Sequence, residues 1–138
     1  MHLTQEEYKG DAWGVLVTCL MLNKTAGKMA NPVIREILRR WSTPSDYLSS
    51  AENETVIELI RPLGLFRTRE RRLGELAEAL FLGKPYDQIP GVGKYGRDSY
   101  MIFVEGRLDL NPTDAKLKAY LNHRKSIRER RKLGRKQK

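Results

Sequence analysis

Apolar residues recur at helical spacing along most of the chain, and no segment alternates apolar with polar residues as a half-buried strand would. Trp13, Leu16, Val17 and Leu20 fall at i, i+3, i+4 and i+7. Val33, Ile34, Ile37, Leu38 and Trp41 form a second stripe after Pro32, which fits a first-turn proline. Val56, Ile57 and Ile60 make a shorter run that ends near Pro62 and Gly64. Leu73, Leu76, Ala77, Leu80 and Phe81 make another, stopped by Gly83 and Pro85. Gly96 to Val104 and Asp114 to Leu121 complete the series. The spacing predicts an all-α fold of about seven helices. With 138 residues, 40% of them hydrophobic, the chain can fill one core. Trp13, Trp41 and Met101 are expected to serve packing and get no functional reading, and Cys19, beside the first stripe, reads as a small buried hydrophobe.

One cysteine allows no internal disulfide and no four-cysteine zinc or iron–sulfur site, and it suits a reducing compartment. His2 and His123 have no partners at ligand spacing, so no metal site is expected. No run approaches the roughly 18 apolar residues of a membrane helix, and the polar Met1–Gly10 has no secretory h-region. The formal charge is +9, and it is unevenly placed. His123–Lys138 holds nine basic residues against Glu129, a net +8, which leaves +1 on residues 1–122. The chain therefore divides into a domain, 1–122, and a basic C-terminal tail, 123–138. Such a tail suits nucleic acid, an acidic partner or nuclear import.

Ile89-Pro90-Gly91-Val92-Gly93-Lys94-Tyr95-Gly96 lies between two helical patterns. Pro90 suits entry to a tight turn, and Gly91 and Gly93 permit positive φ and close approach of a ligand to the backbone. Val92 can plug the turn into the core. The helix that follows offers free N–H groups and a dipole, both favourable to an anion. Pro-Gly-apolar-Gly between helices is thus a phosphate clamp. It is no mononucleotide P-loop, because no Gly-Lys-Ser/Thr follows. Asp114 opens the last helical pattern in Asn111-Pro112-Thr113-Asp114-Ala115-Lys116, where a capping carboxylate is the plain reading.

These segments resemble the helix-hairpin-helix base-excision DNA glycosylase superfamily, whose essential aspartate follows the hairpin at about the distance from Tyr95 to Asp114. A narrower likeness lies upstream. Leu22-Asn23-Lys24-Thr25-Ala26-Gly27-Lys28-Met29-Ala30 is similar to the Leu-Asn-Arg-Thr-Ser-Gly-Lys-Met-Ala stretch of the methyl-CpG-binding thymine/uracil DNA glycosylases. Arg61-Pro62-Leu63-Gly64-Leu65-Phe66 resembles their Lys-Pro-Leu-Gly-Leu-Tyr, and Gly93-Lys94-Tyr95-Gly96-Arg97-Asp98-Ser99-Tyr100 resembles their Gly-Lys-Tyr-Gly-Asn-Asp-Ser-Tyr. Asp114, Lys116 and Leu117 fall on their Asp-His-Lys-Leu. The likeness runs from about Gln5 to Leu121 and includes no methyl-CpG-binding domain.

The resemblance implies a two-lobed α-helical domain with a DNA cleft between the lobes, roughly residues 24–105 forming one lobe and the N-terminal helices with the segment after about Leu110 the other. It implies a monomeric enzyme that acts in the nucleus on double-stranded DNA holding a mismatched or deaminated pyrimidine, with no membrane partner. Asp114 would be the catalytic carboxylate with Tyr95 beside it as the second catalytic residue, and Gln5 and Tyr95 would line the base pocket. Leu65 and Lys24 would wedge into the duplex. Gly91 and Gly93 would offer amides to a phosphate, with Lys94, Arg97 and Lys116 adding charge. In bifunctional relatives such as endonuclease III, the position of Tyr95 carries a Schiff-base lysine. A tyrosine implies a monofunctional enzyme with water as nucleophile. No cofactor and no iron–sulfur cluster are implied, although hairpin carbonyls could hold a monovalent cation.

The chain departs from that pattern at four places. Lys24 replaces an arginine, Ala115 a histidine and Arg97 an asparagine, and the segment after Asn122 is more basic. Two other readings stay open: a non-catalytic helix-hairpin-helix DNA-binding module, for which Asp114 is dispensable, and an RNA-binding helical protein that depends on the tail.

Overall fold

The computed structural model describes residues 2–137 and, within them, seven α-helices with short 3-10 turns and no strand. A 3-10 turn, Thr4–Tyr8, leads into α1 (Ala12–Leu22). Then come α2 (Gly27–Arg40), α3 (Pro44–Ser50) and α4 (Asn53–Ile60). The chain continues through α5 (Phe66–Phe81), α6 (Lys94–Phe103) and α7 (Ala115–Gln137). The all-α reading holds.

α1 is the centre of the packing. Trp13, Val15, Leu16, Val17, Cys19 and Met21 are all buried, so the helix is apolar on every side, as a core helix must be. It packs on α2, α5 and α6. Two clusters of buried side chains meet along it. The larger gathers Trp13, Leu16, Met21, Ile34, Ile37, Trp41, Ile60, Leu73 and Leu76. The smaller gathers Val15, Ile102, Phe103, Leu117, Tyr120 and Leu121. The Trp13 indole donates to the Trp41 carbonyl at 2.8 Å, so its polar edge is satisfied inside the core.

The structure departs from the sequence pattern at three places. α2 begins at Gly27, so Pro32 lies in its second turn and not its first. The helix tolerates it because α2 presents Ala30, Ile34, Ile37 and Leu38 to the core, and burial outweighs one missing backbone bond. α3 has too few apolar residues to show a period. Its start is set by Thr43, whose side chain accepts from the Asp46 amide at 3.0 Å, and by Pro44 at the first position. The apolar pattern Asp114–Leu121 is only the first third of α7. Leu117, Tyr120 and Leu121 bury, and beyond them the helix carries Arg and Lys, good helix formers that need no core. The helix therefore runs without a break through the division between 1–122 and 123–138.

Among the described residues no helix is long and apolar enough to cross a membrane, and no three His, Cys, Asp or Glu side chains are grouped to hold a metal ion.

Candidate active site

Pro90 and Gly91 form the corner of a turn in which the Val92 amide donates to the Ile89 carbonyl at 3.2 Å. Gly91 has φ +83°, the left-handed conformation a type II turn requires at that place. Gly93 differs from expectation: its φ is −89°, which any residue can adopt. A Cβ on Gly93 would meet nothing within 4 Å, whereas one on Gly91 would meet Arg72 Cδ at 2.9 Å. Gly91 is thus a structural glycine, while the bare backbone at Gly93 leaves room for something outside the chain. Val92 packs on the larger cluster, and its Cγ1 would stand 3.1 Å from a Cβ at Gly96, so the glycine lets the plug seat.

α6 starts one residue after Gly93 and carries Lys94, Tyr95 and Arg97 in its first turn. Lys94 Nζ lies 2.9 Å from the buried Asp98 carboxylate, so its charge is directed along the helix. Arg97 is half-buried and Tyr95 turns inward. The Tyr95 hydroxyl accepts from Gln5 Nε2 at 2.7 Å, across 90 residues of sequence. Burial raises the Tyr95 pKa, and the charge of Asp114 raises it further, so the phenol stays protonated near neutrality. Cys19 lies beneath, with its sulfur 3.9 Å from Gln5 Nε2. Its burial pushes the thiol up to about 12. It is a packed thiol, as its place beside the α1 stripe predicts.

Asp114 immediately precedes α7. Its Oδ2 accepts from the Leu117 amide at 3.0 Å, the bond of an N-cap. That leaves Oδ1 without a hydrogen bond among the described residues. The capping role expected from the sequence is real, and it fixes the carboxylate at the start of α7, whose first two turns pack Leu117, Tyr120 and Leu121 into the smaller cluster.

These side chains share one cavity of about 570 Å³. Gln5, Lys24, Tyr95, Asp114 and Lys116 all line it. A second cavity of about 300 Å³ lies between the hairpin, α1 and α5. It is lined by Gly91, Gly93 and Lys94, and Tyr95 and Asn23 border both cavities. Arg97 and Leu65 line neither.

Leu65 stands apart for a different reason. It is 63% exposed, a large apolar side chain held in water at the start of α5. Its φ is +48°, and Lys24 has φ +59°. Among the described residues these are the two non-glycine positions with left-handed backbone, and both carry exposed side chains. Strain of this kind persists where a surrounding structure imposes it, and it concentrates at ligand clamps.

Sequence reasoning passed over Asn31 and Thr25, which line the larger cavity, and Arg69. Thr4 donates to Asn31 Oδ1 at 2.7 Å and ties the N-terminal turn to α2. Arg69 was hidden because an arginine in a charged run such as Arg67–Arg72 reads as surface.

A model of the HhH-GPD superfamily base excision DNA repair proteins matches residues 17–136. The chain belongs to that superfamily. The match spans the hairpin, Tyr95, Asp114 and nearly all of α7. The chain is 35% identical over 126 residues to the methyl-CpG-binding domain protein 4-like protein of Arabidopsis thaliana, covering 88% of this chain and 28% of that protein. It is 36% identical over 107 residues to the thymine/uracil-DNA glycosylase of Pyrobaculum aerophilum, covering 71% and 46%. It is 39% identical over 94 residues to the thymine-DNA glycosylase of Aeropyrum pernix, covering 62% and 42%. The chain thus spans less than half the length of each of these three relatives.

Proposed function

We propose that the chain is a monofunctional DNA glycosylase of base excision repair that excises thymine or uracil opposite guanine and leaves an abasic site. The observation that carries this reading is the convergence of Gln5, Tyr95 and Asp114 on one cavity, in a chain of the HhH-GPD superfamily. Two of the relatives above are named as glycosylases of thymine or thymine and uracil.

Duplex DNA would lie over the hairpin and the cavity, with the target nucleotide turned out of the stack. Gln5 commits Nε2 to Tyr95, and its carbonyl oxygen makes no hydrogen bond among the described residues. A free acceptor suits the N3–H of thymine or uracil, whereas cytosine has an acceptor at N3. As the C1′–N bond breaks, the base leaves with the electron pair and C1′ gains oxocarbenium character. The Asp114 carboxylate stabilises that charge and takes a proton from the water that adds to C1′. Tyr95 has no amine to form a Schiff base, so the strand stays intact.

Leu65 and Lys24 would enter the duplex, and the amides around Gly91 and Gly93 would hold a phosphate. Lys116, Arg97 and Lys94 would add charge that positions without specifying sequence. No cofactor is needed, although the hairpin carbonyls could hold a monovalent cation. The enzyme would act as a monomer, and the basic end of α7 suits a nuclear protein.

The test is single-turnover excision on duplexes holding one G·U, G·T, A·U or A·T pair, with and without hot alkali. Cleavage at G·U and G·T only after alkali is the expected result. Asp114→Asn should lower the rate by about 10²–10⁴-fold while keeping mismatch binding, because asparagine can still cap α7. Full turnover in Asp114→Asn would remove this mechanism. Scission without alkali would overturn the reading of Tyr95. Tight binding without excision would leave a DNA-binding module.

A further inference from the structure

Arg69 is buried, 5% exposed, in the first turns of α5, and it has no carboxylate partner among the described residues. An unpaired buried guanidinium is costly, and burial lowers its pKa. What compensates is a set of oxygens on one loop. Nη1 donates to the Met21 carbonyl at 2.6 Å. Nη2 donates to the Asn23 carbonyl at 2.9 Å and to Thr25 Oγ1 at 2.6 Å. The two carbonyls belong to the C-terminal end of α1, where backbone acceptors lack partners and the dipole favours a cation. The fork therefore grips the loop on both sides of Lys24.

Lys24 sits in a turn that the Thr25 amide closes on the Leu22 carbonyl at 3.0 Å. Asn23 has φ −58° and ψ 115°, and with Lys24 at φ +59° this is a type II turn with a lysine where glycine is usual. At its other end, Arg69 donates its own amide to the Leu65 carbonyl at 2.9 Å. One residue thus touches both left-handed positions: it bonds Leu65 through its backbone and brackets Lys24 with its side chain.

From this geometry we infer that Arg69 is a positioning residue that locks the Lys24 and Leu65 loops into one rigid two-pronged wedge for opening duplex DNA. The inference rests on the glycosylase reading. Lysine cannot replace the arginine, since one ammonium cannot span three acceptors with a planar fork.

The test compares Arg69→Lys and Arg69→Met with the unaltered chain on two substrates. In one, uracil pairs with guanine in a continuous duplex. In the other, uracil lies in an unpaired bubble and needs no prying. The expected result is a rate loss of about 100-fold on the duplex, less than about threefold on the bubble, and no rescue by lysine. Equal losses on the two substrates, tracking a drop in Tm, would mean a merely structural role and would overturn the inference. If the unaltered chain excises from neither substrate, the glycosylase reading fails separately. The wedge is then read from 2-aminopurine placed beside the mismatch. A fluorescence rise on binding that Arg69→Lys loses sustains the inference, and an equal rise in both proteins, or none in either, overturns it.

Discussion

Leu65 concentrates two unfavourable choices in one residue: a large apolar side chain left in water and a left-handed backbone at φ +48°. For an L-residue that conformation costs about 1–2 kcal/mol, and glycine would avoid it. Folding alone would not select leucine here, and the proposed reading gives the exposed side chain a role in opening the duplex. Leu65→Gly and Leu65→Ala separate the two effects. On the proposed reading both remove the wedge, and both should slow excision from duplex DNA. Leu65→Gly relieves the backbone and should be more stable than Leu65→Ala by about 0.5–1 kcal/mol, once glycine's extra chain entropy is counted. Denaturant melts of the two variants measure the difference. A more stable alanine variant would remove the claim of backbone strain. At this scale the sequence was informative about chemistry and mute about conformation. Nothing in the letters around Leu65 or Lys24 marks a positive φ, because glycine, the usual marker, is absent from both positions. Asp114 was legible as a cap from its place before an apolar helical run, and the Leu117 bond bears that out. Arg69 was not legible, because its acceptors lie on a loop more than forty residues away.

The hairpin shows the same division at the level of an element. Pro90-Gly91 before a helix predicts a tight turn, and a turn is present. The equal treatment of Gly91 and Gly93 does not survive, because only Gly91 is left-handed and crowded. The two alanine substitutions should therefore diverge. Gly91→Ala forces a Cβ against Arg72 in a strained conformation, and should lower both Tm and affinity for undamaged duplex. Gly93→Ala should melt with the unaltered chain and still bind DNA more weakly, since the methyl occupies the space a phosphate needs. Thermal melts beside a titration of undamaged duplex report both quantities. If Gly93→Ala binds normally, the hairpin does not hold a phosphate at that residue. Long helices with a buried stripe were readable from period alone, as α2 and α5 show. α3 and the outer two thirds of α7 were not, because one rests on a cap and a proline and the other on propensity.

Across the whole molecule, two clusters of buried side chains could be foreseen as apolar stripes, but not their meeting along α1. The cavity draws on the N-terminal turn, the loop after α1, Tyr95 and the start of α7, and no periodicity links such distant segments. The resemblance supplied that grouping. The charge asymmetry was fully legible, and the structure gives it a shape. From Asn122 to Arg135 the residues of α7 are exposed except for Arg124 and Ile127, which are half-covered. Arg124, Arg128, Arg131 and Arg135 recur at i, i+4, i+7 and i+11, so they form one stripe, and all four line a groove beside Leu108. The one acidic residue of the segment, Glu129, approaches Lys132 at 3.8 Å and leaves that stripe unneutralised. A rigid stripe of four guanidinium groups should neutralise about four phosphates, each worth about 0.9 in the salt slope of binding. Removing residues 124–138 leaves Leu117, Tyr120 and Leu121 in place, so the packing under Asp114 survives. The shortened chain should then show a slope of log K against log salt that is smaller by about 3 to 4. Its single-turnover excision at saturating protein should stay within a few-fold of the full chain, because every cavity-lining residue remains. Titrations of undamaged duplex at several salt concentrations give the slope. An unchanged slope would mean that the arginine stripe faces solvent in the complex. Loss of all binding would mean that the stripe, and not the hairpin, holds the DNA, which is the outcome the tail-driven reading of the sequence requires.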